Sequence, residues 1–179
     1  MMFKTVKVAI WGLLVLFVSS NGIPGPDLDI RLPEGTYELH TMSGREFSLK
    51  GNVNFDQKKE ISNSGRTYSV IELEMTGMDE YMHHSLGFLM GRQGDHNPIR
   101  KGTYTFDRDI DGFLGQFEGV FGFANFQDYG EQPFFAKSGK LIIRYIDEVS
   151  LIGSLSVSMD NARGETVIIA GDFNARGKN

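Results

Sequence analysis

Apolar and polar residues alternate with a period of two along most of this chain, the spacing of strands that bury one face. In EFSLKGNVNF, Phe47, Leu49, Val53 and Phe55 fall on one side, and Ser48, Lys50, Asn52 and Asn54 on the other. VSLIGSLSVSMD gathers Leu151, Leu155, Val157 and Met159 opposite Ser154, Ser156 and Ser158, and TVIIAGDFNA gathers Val167, Ile169, Phe173 and Ala175. TYSVIELEM, SGKLIIRYID and two segments that begin with Thr-Tyr predict further strands, while YMHHSLGFLM admits either a strand or a helical turn. Runs at helical spacing are scarce. The pattern predicts about nine strands in one antiparallel all-β domain, a sandwich or flattened barrel, with a lipocalin-like barrel as the alternative.

A second regularity concerns glycine. Apolar-x-Gly-x-apolar-x-apolar occurs as LKGNVNF, FEGVFGF, LIGSLSV and IAGDFNA, placing Gly51, Gly119, Gly153 and Gly171 on the expected inward side of their strands. Glycine within a strand costs stability, so its repeated use needs a cause. Two causes fit: a sharply bent sheet, or room for a bulky ring across the core. The chain also echoes itself, since LPEGTYEL at 32–39 resembles IRKGTYTF at 99–106. We read one domain with two related halves.

The N-terminus changes the expected compartment. Lys4 and Lys7, the apolar run Val8 to Val18 and the small residues after it have the three regions of a secretory signal peptide. That run is eleven residues long, short of the ~20 that span a bilayer. The sequence therefore predicts a signal peptide over 1–22 and an exported domain over 23–179 (periplasmic, cell-surface or secreted) with no span in the mature chain. There is no cysteine, which excludes disulfides, thiol chemistry and lipid attachment at a cleavage-site cysteine. Without Lys4 and Lys7, 16 basic side chains face 23 acidic ones, a net charge of −7. Such a chain lacks the cationic footprint that nucleic acid or an anionic membrane requires.

From Ser138 onward, GKLIIRYID, VSLIGSLSV and TVIIAGDFNA, together with the upstream GTYTF, resemble a family of uncharacterised exported bacterial β-proteins, mostly lipoproteins of Bacteroidetes type. The resemblance, mainly over 98–179, implies export and an all-β fold. It brings no activity and no catalytic residue, and the chain departs from the family in lacking the lipoprotein cysteine.

One stretch carries the outline of metal chemistry. DRDIDGFLGQFE matches the twelve-residue calcium loop D-x-D-x-D-G with a closing Glu. Asp107, Asp109 and Asp111 would supply carboxylates, Phe113 its carbonyl, and Glu118 a bidentate carboxylate, with Gly112 making the turn. The flanking segments read as strands, not as the helices such a loop joins. Two readings follow: a Ca²⁺-stabilised hairpin tip, or an acidic turn. In either, the parity of the next strand turns Glu118 outward.

The remaining candidates are weaker. Glu80 and His83 would share one face of a helix, but in a strand His83 and His84 face opposite sides. Asp95 and His96 suggest acid–base chemistry, yet adjacent residues seldom face each other and no nucleophile motif is present. In FLGQFEGVFGFANFQDYGEQPFF, Phe117, Phe121 and Phe123 are expected inside. Phe126, Tyr129, Phe134 and Phe135 form a candidate ligand-binding aromatic group, set against the reading of a loop tucked over the core. Function on this basis is non-catalytic binding or structure in the cell envelope, with a carbohydrate or protein partner. A lipocalin-like carrier of a small apolar ligand and an envelope hydrolase are the alternatives.

Overall fold

The computed structural model describes residues 32–42, 47–78, 83–94, 98–106, 117–127, 130 and 132–178. Among them are nine strands: β1 (Thr36–Thr41), β2 (Ser48–Ile61), β3 (Thr67–Met78), β4 (His83–Gln93), β5 (Gly102–Phe106), β6 (Gly119–Phe126), β7 (Phe134–Ile146), β8 (Ser150–Asp160) and β9 (Thr166–Gly177). They close into one barrel in the order β1-β2-β3-β4-β6-β5-β7-β8-β9, and β9 returns to pair with β1. The expected all-β class holds, and closure leaves the sheet no free edge.

The sheet is mixed and not purely antiparallel, as the alternation pattern had suggested. β1 and β5 are the shortest strands, six and five residues, and each is wedged between two longer neighbours. Past the end of β1, β2 and β9 pair directly in parallel at Asn54↔Arg176 and Phe55↔Gly177. Past β5, β6 and β7 pair at Phe123↔Phe135 and Ala124↔Phe134. The two Thr-Tyr strands thus hold similar places, but β1 is antiparallel to β2 whereas β5 meets β6 in parallel, at Phe106↔Val120. β5 and β6 are therefore not the two arms of a hairpin.

The interior is filled from every strand. In β2, β8 and β9 the expected side chains point inward: Leu49, Val53, Phe55, Leu155, Val157, Met159, Val167, Ile169, Phe173 and Ala175 are all buried. Rings meet edge to face inside the barrel, Phe88 with Phe106 at 5.7 Å and Phe126 with Phe134 at 5.6 Å between centroids. Each such ring contributes about 1.5–3 kcal/mol by leaving water. Tyr37, Leu39, Phe134 and Leu141 complete the same core.

Both causes weighed for the repeated glycines operate. A Cβ on Gly51 would overlap the Thr76 carbonyl of β3, and one on Gly171 the Glu38 carbonyl of β1, so these mark points where the coiled sheet brings strands too close for a side chain. Gly153 does both, since its Cβ would meet the Ile142 carbonyl and lie 2.7 Å from the Phe173 ring.

β6 departs from the expectation. Its buried set is Val120, Gly122, Ala124 and Phe126, the even positions, while Phe123 is 38% exposed. Gly119, Phe121 and Phe123 share the outer face, opposite Gly91, Leu89 and Gly87 of β4. Phe117 is buried, but against Gly91 and apart from the main core. Bulk misled the sequence reading, because both parities of GVFGFANF are apolar. The interior needs the small residues there: a Cβ on Gly122 would stand 2.8 Å from the Phe88 ring and 3.2 Å from Cβ of Ala136. The large ring belongs to β4, and the facing strand yields to it.

The segment YMHHSLGFLM resolves as strand from His83 onward, with Leu86, Phe88 and Met90 inside. It lacks a clean alternation because its outer positions, Gly87 and Leu89, are also apolar and lie beside the outward rings of β6.

Candidate functional site

The outward turn of β6 builds a surface site row by row. Gly87, Phe123 and Phe135 are successive cross-strand partners on β4, β6 and β7. Gly87 has no side chain, so Phe123 lies across it; a Cβ at Gly87 would overlap that ring. Phe121, one step along β6, packs on Phe123 with centroids 6.5 Å apart and on Phe135 at 6.1 Å, both tilted by about 40°. Phe135 is 48% exposed. Three phenylalanines thus form a shelf on the outside of the barrel.

A groove of about 540 Å³ runs beside this shelf, within the size range of small-ligand sites. Its other wall is the outer face of β2 and β3, with Lys58, Glu60, Glu72 and Glu74. These charges are paired inside the protein, three carboxylates with two ammonium groups: Lys58 Nζ lies 3.3 Å from Glu72 and 3.6 Å from Glu60, and Lys178 Nζ lies 2.6 Å from Glu74. Partial burial alone would pull the Lys58 ammonium down. The hydrogen bond to Glu72 and the charges of Glu72, Glu60 and Asp56 outweigh it and hold the group above the usual lysine range.

The next row toward the end of the barrel is neutral and polar. Thr76, Ser85 and Asn125 are cross-strand neighbours on β3, β4 and β6, and the Asn125 amide lies 3.5 Å from the Ser85 hydroxyl. Thr76 and Ser85 line both the aromatic groove and a second open cleft of about 700 Å³, which His83, Asn125 and Gln127 also border. The two depressions adjoin at Thr76 and Ser85.

Beneath that end lies a buried pair. Tyr37 of β1 and His84 of β4 join through Tyr37 Oη and His84 Nε2 at 2.5 Å, with rings edge to face at 6.0 Å. His84 fits because Gly77 lies against its ring and leaves the space a Cβ would fill. Burial pushes the Tyr37 phenol well above its ordinary value of 10.0. The pair is a structural tie between β1 and β4.

The residues singled out by sequence fall in different places. Phe126 and Phe134 are core residues, 1% and 0% exposed, and present no surface to a ligand. Phe135 stands in the groove, and Tyr129 lies outside the described residues. Asp107, Asp109, Asp111 and Phe113 also lie outside them; Glu118 is exposed just before β6, but not through the parity that predicted it, since β6 turns its odd positions outward. Among the described residues no three His, Asp or Glu side chains are grouped to hold a metal. His83 is exposed and His84 buried, the opposite faces a strand requires. Glu80, Asp95 and His96 lie outside the described residues. Sequence reasoning missed Gly87, Phe121 and Phe123 as surface residues. The signal was Asn125 and Gln127, two polar residues on the same parity as Phe121 and Phe123.

No family model matches the chain, and neither a curated protein nor a solved structure is similar to it.

Proposed function

We propose that the protein is an exported, non-catalytic binding protein of the cell envelope, and that it binds on the outside of its barrel, not within it. One observation carries the reading: β6 turns Phe121 and Phe123 outward, beside Phe135, into a groove with polar walls. Water-exposed aromatic clusters of this kind cost solubility and persist where a partner covers them. The rest of the outer face bears charges such as Lys50, Arg144 and Asp172, which suits a barrel in water and not one with lipid around it.

The carrier alternative needs an open cup. Here Tyr37, Phe55, Phe88, Phe106, Phe126, Phe134 and Phe173 occupy the interior, so a ligand there would have to displace packed rings. The hydrolase alternative rests on Asp95, His96 and nearby carboxylates; Asp95 and His96 lie outside the described residues, and the groove carboxylates Glu60 and Glu72 are paired with Lys58 and Glu74 with Lys178.

Nuclear magnetic resonance with a small aromatic and aliphatic fragment set tests the reading. Shift changes should map to the amides of Gly87, Leu89, Phe121, Phe123 and Phe135. Changes confined to interior positions such as Leu73, Leu155 and Ile169 would support a carrier and overturn it.

A further inference from the structure

Resting on the binding reading above, we infer that the occupant of the outer groove is a neutral glycan chain, lying with its sugar rings on the phenylalanine shelf and its hydroxyls along the polar row. Three features of the adjoining depressions point to that chemistry. The shelf is aromatic: Phe121, Phe123 and Phe135 offer ring surfaces, which suit the apolar C–H face of a pyranose. The adjoining row is Thr76, Ser85 and Asn125, hydroxyls and an amide that both donate and accept. Sugar hydroxyls need that dual capacity, whereas a carboxylate or ammonium ligand needs an opposite charge.

The charges give the same answer. Lys58 is committed to Glu60 and Glu72, and Lys178 to Glu74. Among the described residues that line the groove the cation, Lys58, is already paired, so an anionic polymer would find no free one there, and a basic peptide would have to break lysine–glutamate pairs already made. A neutral polyhydroxylated ligand can instead accept from Lys58 and donate to Glu72 without separating them. The adjoining of the two depressions favours a chain over a single sugar, because the aromatic groove and the barrel-end cleft share Thr76 and Ser85.

Affinity electrophoresis of the mature protein through gels containing a soluble β-glucan, mannan, dextran or xylan tests the inference, with alginate and polylysine as charged comparators. At least one neutral polysaccharide should slow the protein, and the retardation should survive added salt because no net charge is exchanged. Phe135→Ala should weaken binding roughly tenfold while lowering the melting midpoint by no more than a few degrees, since that ring is half exposed. Asn125→Ala provides a second arm that removes no apolar surface and should weaken binding as well. Retardation by alginate or polylysine alone, by no polymer at all, or to the same extent in Phe135→Ala, would overturn the inference. Should no neutral glycan bind while fragments still shift the amides around Gly87 and Phe123, the ligand class fails and the outer binding surface stands.

Discussion

Phe88 and Phe123 sit one position out of register on neighbouring strands, each facing a glycine, and their truncation separates inside from outside. Phe88 is 1% exposed and faces Gly122. Gly122 has no side chain that could relax into the space, so Phe88→Ala should leave most of the ring volume as a cavity and cost about 3–5 kcal/mol. Phe123 faces Gly87 and is 38% exposed. Only some three fifths of its burial can be lost, and water can enter the vacated site, so Phe123→Ala should cost about 1–2 kcal/mol. With marginal stability of about 5–15 kcal/mol, both variants remain folded enough to measure. The assay is urea unfolding followed by far-ultraviolet circular dichroism, because the single tryptophan, Trp11, lies in the expected signal peptide. For a domain of this size the inner truncation should lower the thermal midpoint by roughly 10 °C and the outer one by a few degrees. A cost for Phe123→Ala equal to that for Phe88→Ala would mean that β6 faces the other way and would refute the site.

Three further outcomes are expected. Gly51→Val and Gly171→Val should each cost several times more than Gly65→Ala in urea titrations, because the first two force a side chain against a neighbouring carbonyl while Gly65 stands in open space; Gly65→Ala should cost only about 1 kcal/mol, for its positive φ. Tyr37, whose phenol burial raises above the ordinary 10.0, contributes stability that is complete at neutral pH and declines as pH rises past about 10. Tyrosinate difference spectra of wild type and Tyr37→Phe should differ by one late-titrating phenol, and equal alkaline unfolding curves would contradict the assignment. If Asp107, Asp109 and Asp111 bind Ca²⁺ at ~10⁻⁴ to 10⁻³ M, millimolar calcium should add about 0.4–1.4 kcal/mol; a thermal melt with calcium and with chelator reads this, and no shift leaves an acidic turn.

Much of the fold was legible because β2, β8 and β9 keep close to alternation, with serines, lysines and asparagines marking most of the wet face, although Ile152 and Asn174 are buried out of phase. The outward strand was not, for a physical reason. In GVFGFANF both faces are apolar, one set large and one small, and hydrophobicity alone assigns the large set to the core. Which set turns inward depends on the partner strand: Phe88 needs the space that Gly122 leaves, a fact carried by a residue thirty-four positions away. The mixed topology was hidden for a similar reason, since the parallel contacts arise where β1 and β5 end, and strand length relative to neighbours leaves no mark in alternation. Phe126 and Phe134 looked like a connection and proved to be core, because the apolar even parity of β6 runs on to its last residue and the interior continues into β7.

The central claim is that the aromatic face of β6 meets water and its ligand while the barrel axis is closed to both. Ring-proton spectra of the mature protein in the presence of a soluble nitroxide test it most directly, repeated with the retarding polysaccharide added. The account predicts broadening of Phe123 and Phe135, protection of Phe55, Phe88 and Phe173, and relief of the broadening when the glycan is bound. Protected Phe123 and Phe135 beside broadened interior rings would contradict it.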